Sequence, residues 1–393
     1  MRVLLCLLSA QHVPNLLSVH HFQPDRLILV ESTAMKLQPA AENLLQALRI
    51  GGREYRHKHD IEPLASEDHL ETIRQSLRRA YGRYASCEWI VNLTGGNKPM
   101  AIATYEFFKS VGGRLVYTNI EQPGEWRDID STHTEKFNHV LLMKEFLAGY
   151  GFESRKSDEK IALAEKRATG WWECARLIAE HSVGKSVLPL SDEERNQARD
   201  KGITLASGRC FLDDSISASL SSCFRLTRTA DGSWVGRLDK HEVDFLTGGW
   251  LEAFFWGLLS RHAVSLGLSD VRLGLEVGAR GDSSGNDFDV AFMHTYHLCM
   301  MECKSGAQSH DPRLDVLYKV EAVTRQFRAL RVKSWLATTS DHVLDRNNGK
   351  LKASLANRAA IYNCNLLVRS QIEALARKPD DLDHFRSVLN LRY

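Results

Sequence analysis

The chain has 393 residues, of which 43% are hydrophobic and 25% charged, and 51 Lys and Arg against 49 Asp and Glu leave a net charge of +2. That length accommodates two or three domains with cores of their own, and the balance excludes a disordered chain. No apolar run approaches the roughly 18–20 residues of a membrane span, and with no global basic excess any phosphate-binding surface is local.

The apolar run 3–8 is too short for a signal peptide and reads as a first buried strand. Further strands are expected at 26–30, 88–93 and 113–119, with helices at 11–21, 35–49, 66–83 and 98–111 between them. Short apolar strands alternating with helices predict a parallel sheet covered on both faces, a Rossmann-like domain. Ligands bind such sheets at the carboxyl ends of the strands. Two loops there carry suggestive chemistry. Ser9-Ala-Gln11-His-Val-Pro14-Asn15 follows the first strand, and Thr94-Gly95-Gly96-Asn97-Lys98 follows a later one. The second offers glycines for close backbone approach, a helix start and an ammonium, which suits an anionic ligand. Neither the Walker A pattern nor Gly-x-Gly-x-x-Gly is present, so a nucleotide triphosphate or dinucleotide cofactor is not indicated.

Between about 150 and 235 the charged run 153–160, the pair Trp171-Trp172 and the capping-box pattern Ser191-Asp-Glu-Glu194 predict a module of short helices. The two tryptophans read as core rather than as a base-stacking platform. The eight cysteines, at 6, 87, 174, 210, 223, 299, 303 and 364, form no Cys-x-x-Cys and predict free thiols in a reducing cytoplasm.

Residues 248–262 place apolar side chains at 251, 254, 255, 258 and 259, the one-face pattern of a helix, with Glu252 in its first turn. Then come Asn286-Asp287-Phe-Asp289-Val290, a polar turn, and Leu298-Cys-Met-Met-Glu302-Cys-Lys304. Strand alternation puts Glu302 and Lys304 on one side, and an adjacent antiparallel strand brings an aspartate to the same side. Two carboxylates hold a hard divalent cation, and the ammonium stands beside the attacking water or phosphate. By alternation Asp287 and Asp289 share a face, which leaves open which of them ligates first. A helix at 312–330 and strands at 333–338 and 366–369 complete the expected order. Lys319, Arg325, Arg328, Arg331 and Lys333 are candidate phosphate contacts or a solvated face. None of the 16 histidines is assigned a role.

Gly-Gly-Trp-Leu-Glu252, Asn-Asp-Phe-Asp289 and Glu302-Cys-Lys304 resemble the restriction-endonuclease-like PD-(D/E)xK nucleases. The resemblance implies a mixed α/β domain that hydrolyses phosphodiesters with magnesium or manganese. Asp289 and Glu302 would be metal ligands, Lys304 the catalytic lysine and Glu252 an accessory catalytic acid. The chain departs from that pattern in having no proline before its aspartate.

The pair Ser9-x-Gln11-x-x-Pro14-Asn15 and Thr94-Gly-Gly-Asn-Lys98 resembles the CARF sensors of cyclic oligoadenylate. The whole layout is similar to the CRISPR ancillary nucleases activated by cyclic tetra-adenylate. That likeness implies a sensor domain at 1–148, a helical connecting region at 149–235 and a nuclease domain at 236–393. It implies a cytoplasmic homodimer whose two sensors share one pocket. Ser9, Gln11, Pro14, Asn15 and the loop Thr94, Gly95, Gly96, Asn97 and Lys98 would bind the cyclic ligand, which activates cleavage of DNA, RNA or both in type III CRISPR antiviral defence. The competing reading is a ligand-sensing regulator that binds nucleic acid without cutting it. Carboxylates aimed at phosphate argue against a pure binder, because they repel it.

Overall fold

The computed structural model describes residues 1–119, 124–181, 187–188, 190–205, 214–305, 332–345 and 347–391. The expected helix at 312–330, and with it Lys319, Arg325, Arg328 and Arg331, lies outside the described residues.

The chain opens with β1 (Arg2–Leu7), α1 (Val13–Phe22), β2 (Arg26–Glu31), α2 (Thr33–Leu37), α3 (Ala40–Ile50), β3 (His59–Pro63), α4 (Leu70–Gly82), β4 (Glu88–Asn92), α5 (Lys98–Ser110) and β5 (Arg114–Thr118). Two short strands, β6 (Glu125–Asp128) and β7 (Thr134–Lys136), and then α6 (Met143–Gly149) complete this part. The sheet runs β3-β2-β1-β4-β5-β6-β7. Its first five strands are mutually parallel, and β6 and β7 add antiparallel. Within β1, Leu4 and Cys6 enter one core while Val3, Leu5 and Leu7 enter another. The Rossmann-like expectation is met, with helices on both faces.

The connecting stretch supplies β8 (Phe152–Ser154), α7 (Asp158–Gly170), α8 (Trp172–His181), α9 (Asp192–Lys201), β9 (Ile203–Leu205), α10 (Asp214–Cys223), β10 (Leu226–Arg228) and β11 (Trp234–Leu238). The expected capping box forms at Ser191 and Glu194. Trp172 stacks on Phe254, with ring centroids 5.8 Å apart, and Trp171 packs against Phe224 and Phe245. Trp172 is buried in the core and Trp171 is partly buried against it, so both serve packing, as expected.

The chain then runs through α11 (Lys240–Asp244), a segment kinked at Gly248 (Phe245–Gly249), α12 (Trp250–Arg261), β12 (Leu268–Ala279), β13 (Asn286–His294), β14 (His297–Lys304), β15 (Lys333–Thr338) and β16 (Cys364–Leu367). The second sheet has the order β16-β15-β14-β13-β12-β8. It is antiparallel from β8 to β14 and parallel from β14 to β16, the mixed sheet the nuclease resemblance implied. β13 and β14 are joined by Thr295 and Tyr296, both at positive φ, as a two-residue hairpin of primed type requires.

One core includes side chains of α1, α3 and α6 together with one face of each sheet, Leu4 and Cys6 on the first and Leu275, Val277, Met293 and Met300 on the second. The opposite face of the second sheet packs under α8 and α12 through Val290, Phe292, Met301 and Trp335. α1, α3 and α6 are therefore a layer shared by two sheets. No helix among the described residues is long and apolar enough to cross a membrane.

Candidate active site and ligand pocket

Four of the residues singled out in the nuclease half come together at the ends of β13 and β14. Lys304 Nζ lies 2.5 Å from Glu302 Oε1 and 3.9 Å from Asp289 Oδ2. Asp289 Oδ2 also accepts a hydrogen bond of 2.6 Å from the backbone N–H of Cys303, which turns its carboxylate toward β14. Glu302 is buried, whereas Asp289 and Lys304 are partly exposed, so the group opens to solvent on one side.

Glu252 arrives from α12. The chain kinks at Gly248 just before that helix, and the Gly248 carbonyl accepts a 3.1 Å hydrogen bond from Ser305 Oγ, just past Lys304. α12 has no side-chain cap, and Glu252 stands in its first turn, where the positive end of the helix favours a carboxylate.

Burial first, then the charge of Asp289, then that of Asp244, push the Glu252 carboxyl up to about 8, with Lys304 opposing. For Lys304, burial pulls the ammonium down, but Asp289 and Glu302 together outweigh it and raise its pKa. Carboxylates thus crowd one lysine in a partly dry pocket. All-oxygen donors in that excess suit a hard divalent cation such as magnesium or manganese. Asp289 and Glu302 are the two that could hold it.

Asp287 stands apart. It is exposed, and its carboxylate pairs with Lys156 Nζ at 3.1 Å. The alternation expected across Asp287 and Asp289 is interrupted. Leu273 and Val290, cross-strand partners, pack into the core under α8 and α12, whereas the next such pair, Leu275 and Phe288, packs into the shared core. The reversal falls at the Gly274–Asp289 step, where Gly274 takes φ +66, a value that favours glycine. Lys156 Nζ also donates 2.8 Å to the Gly274 carbonyl, bracing that step.

In the first sheet the two loops meet at the carboxyl ends of β1 and β4, as the fold rule requires. They line a cavity of about 210 Å³ with Leu8, Ser9, Ala10, Gly96, Asn97 and Met100. Gly95 lies against β1 so closely that a Cβ there would stand 2.0 Å from the Leu7 carbonyl. Asn97 caps α5 by accepting from Met100 N (3.0 Å) and donates to the Glu67 carbonyl (3.1 Å). Lys98 is exposed in the first turn of α5. Gln11 Oε1 accepts from Tyr150 OH at 3.3 Å, outside the cavity lining.

Three residues singled out here turn inward instead. Asn15 is buried, donating to the Leu7 carbonyl (3.0 Å) and accepting from Asn92 Nδ2 (2.9 Å), and Pro14 accepts from the same amide through its carbonyl. Thr94 Oγ1 donates to Asn92 Oδ1 (2.6 Å) and accepts from Thr118 N (2.8 Å). Asn92 thereby locks both loops, a role its place at a strand end did not announce.

Ser32, Ala34, Met35 and Glu67 also line the cavity and were not anticipated. Ser32 follows β2, so the carboxyl-end rule pointed to it. Asp244 is a second omission, an acid eight positions before Glu252 and on the other side of the kink at Gly248. Lys156 had no such signal, being 131 residues from Asp287.

A Rossmann-like domain with a ligand cavity, joined to a mixed sheet with a Glu-x-Lys centre, defines the class of sensor-linked nucleases. Residues 3–146 match the Card1 CARF domain family and residues 239–360 the Card1-like endonuclease domain family, together more than half of the chain. The chain belongs to this family of CRISPR ancillary nucleases, and the endonuclease match decides against the binding-only regulator.

Its architecture is shared by Can2 from Sulfobacillus thermosulfidooxidans, solved in complex with cyclic tetra-adenylate (TM-score 0.67, 20% identity, 99% of this chain and 100% of that one). Protein VC1899 from Vibrio cholerae aligns with TM-score 0.75 and 13% identity over 99% of this chain and 98% of that one. A type III CRISPR defence DNA nuclease activated by cyclic oligoadenylate aligns at TM-score 0.50 and 15% identity, over 91% of this chain and 51% of that one. At these identities the likeness is one of fold. No curated protein matches the chain.

Proposed function

We propose that the protein is a metal-dependent endonuclease of type III CRISPR antiviral defence, switched on by cyclic tetra-adenylate and cutting DNA, RNA or both. The observation that carries this reading is the convergence of Asp289, Glu302, Lys304 and Glu252 in a chain whose other half holds a cavity at its strand ends.

Asp289 and Glu302 would hold magnesium or manganese, whose chemistry when bound would be to make a water more acidic and to offset charge on the phosphate. The Cys303 N–H fixes the Asp289 carboxylate in orientation. Lys304, kept protonated by its two carboxylate neighbours, acts as a charge beside the reacting phosphate rather than as a base. Glu252 shapes the far wall as an accessory acid.

In the sensor, Ser9, Gly96 and Asn97 face the ligand and Lys98 meets its phosphates, with Gly95 allowing the close approach. Gln11 reads a base edge once its bond to Tyr150 is exchanged, and Pro14, Asn15 and Thr94 hold the loops in shape. A cavity of about 210 Å³ falls below the roughly 300–1,000 Å³ of complete ligand sites. That shortfall supports a homodimer in which two protomers supply one pocket. Ligand that binds the closed dimer better shifts the population toward it.

The test is supercoiled plasmid and single-stranded RNA with purified protein and manganese, with and without cyclic tetra-adenylate. Cleavage is expected only with both. Glu302→Ala and Lys304→Ala are expected to lower the rate by at least about 100-fold, the order lost with an electrostatic catalytic group, while ligand affinity is unchanged. Cleavage indifferent to the cyclic ligand would overturn the switch, and cleavage retained by both variants would overturn the site.

A further inference from the structure

A second cluster of ligating side chains lies in the shared helical layer. Glu145 on α6 is fully buried, and each of its oxygens meets one imidazole. His20 Nε2, from the last turn of α1, is 2.6 Å from Oε1, and His139 Nε2, from the segment before α6, is 2.8 Å from Oε2. The two rings stack face to face, 3.5 Å apart and 4° from parallel, so their Nε2 atoms lie side by side before one carboxylate. One ligand atom from each of the three residues lies within 4.8 Å of the others.

The end of α3 keeps the space beside them clear. At Gly51 a Cβ would stand 2.6 Å from Glu145 Oε1 and 2.8 Å from His20 Cε1. The side chains of Glu145 and His20 are 1% and 3% exposed and that of His139 is 21% exposed, so the group opens to water on the His139 side alone.

A buried carboxylate needs a counter-charge. Burial of Glu145 is outweighed by hydrogen bonds and positive charge from His139 and His20, which hold its carboxyl below the usual value, and a dication held by the same three side chains would supply that charge in their place. We propose that His20, His139 and Glu145 form a binding site for a zinc-class transition-metal dication, distinct from the nuclease centre. Two imidazoles and one carboxylate form a donor set suited to zinc, with the fourth position left to water, and imidazole disfavours magnesium and calcium.

Such an ion would tie α1, which leads out of the Ser9–Asn15 loop, to α6 and to the His139 segment. The same segment is held by the second sheet. Tyr296 OH, in the β13–β14 turn, donates 3.1 Å to the His139 carbonyl, and Asp270 Oδ2 on β12 accepts 2.7 Å from Met143 N. The site thus joins the sensor loop's helix to the hairpin whose far end carries Asp289 and Glu302.

The test uses the full chain with Asp289→Asn and Glu302→Gln, which removes the nuclease donors, after dialysis against a chelator. Zinc is added, the protein desalted, and metal counted by mass spectrometry, with cobalt absorption as a second readout. We expect about one zinc per chain, a cobalt ligand-field band, and a zinc-dependent rise in melting temperature, since an ion that binds only the folded state stabilises it. All three are expected to vanish on adding His139→Gln or Glu145→Gln. His139→Gln, at the partly exposed rim, decides the matter if the buried variant fails to fold. Substoichiometric zinc, or zinc retained at full occupancy in His139→Gln, overturns the proposal and leaves a hydrogen-bonded triad in which one histidine carries the charge.

Discussion

Lys156 touches nothing that would react, yet it braces the backbone carrying Asp289, the aspartate proposed to hold metal. It spans the Gly274 carbonyl and Asp287, on the two strands at the step where alternation reverses around Asp289. Groups that orient a metal ligand typically change affinity by about 10–100-fold when removed. Lys156→Ala is therefore expected to raise the manganese concentration for half-maximal cleavage by about tenfold, leaving ligand affinity of the sensor untouched. An unchanged manganese dependence would mean that Lys156 makes only a surface pair. At this scale the sequence was most readable where chemistry is local. Glu302 and Lys304 are two positions apart on one strand, and alternation alone joins them. His20, His139 and Glu145 lie up to 125 residues apart, and only the packing of α1 on α6 brings them together.

Elements were legible in proportion to how apolar and regular they are. β1, β2, β4 and β5 are buried runs and fall where expected, within a residue or two. β3 was missed because His-Asp-Ile-Glu-Pro is an edge strand with one buried residue, Glu62, held by Arg79 and Arg83. β6 and β7 carry polar sequences that no apolar pattern marks. The single helix expected at 35–49 is two, α2 and α3, divided at Pro39, whose missing N–H interrupts a helix. α12 was recognised by its stripe, but its tightest contact was not. At Gly257 a Cβ would stand 2.2 Å from the Trp172 ring, so α8 and α12 depend on a residue with no side chain. Overpacking of this kind costs about 1–3 kcal/mol. Gly257→Ala is expected to lower the melting temperature by several degrees in a thermal scan, with no change in the metal dependence of what remains folded.

On the scale of the whole molecule, each sheet has a core on its outer face and the two share a third between them. α1, α3 and α6 fill the space between them, and the same cluster holds Leu4 of the first sheet and Met300 of the second. A core held in common predicts common melting. Differential scanning calorimetry of the full chain is expected to show one transition for the sensor and the nuclease sheet, and two separated peaks would refute the shared layer. The order of domains was readable from motifs, because each motif belongs to one half. The shared layer was not, since an apolar helix face does not say which of two sheets it will meet.

The short strand β8 has a consequence for anyone who would recombine this protein with a relative. It leaves α6 by a two-residue turn and closes the edge of the sheet that carries Asp289, pairing Phe152 with Ala279 and Ser154 with Val277. A chimera joined immediately after α6, with a foreign sensor in front, keeps the native edge only if residues 152–156 travel with the catalytic half. A junction placed later would strip β12 of its neighbour and leave an unpaired edge open to other chains. The seam between these modules therefore lies inside a sheet, and grafts will succeed or fail there.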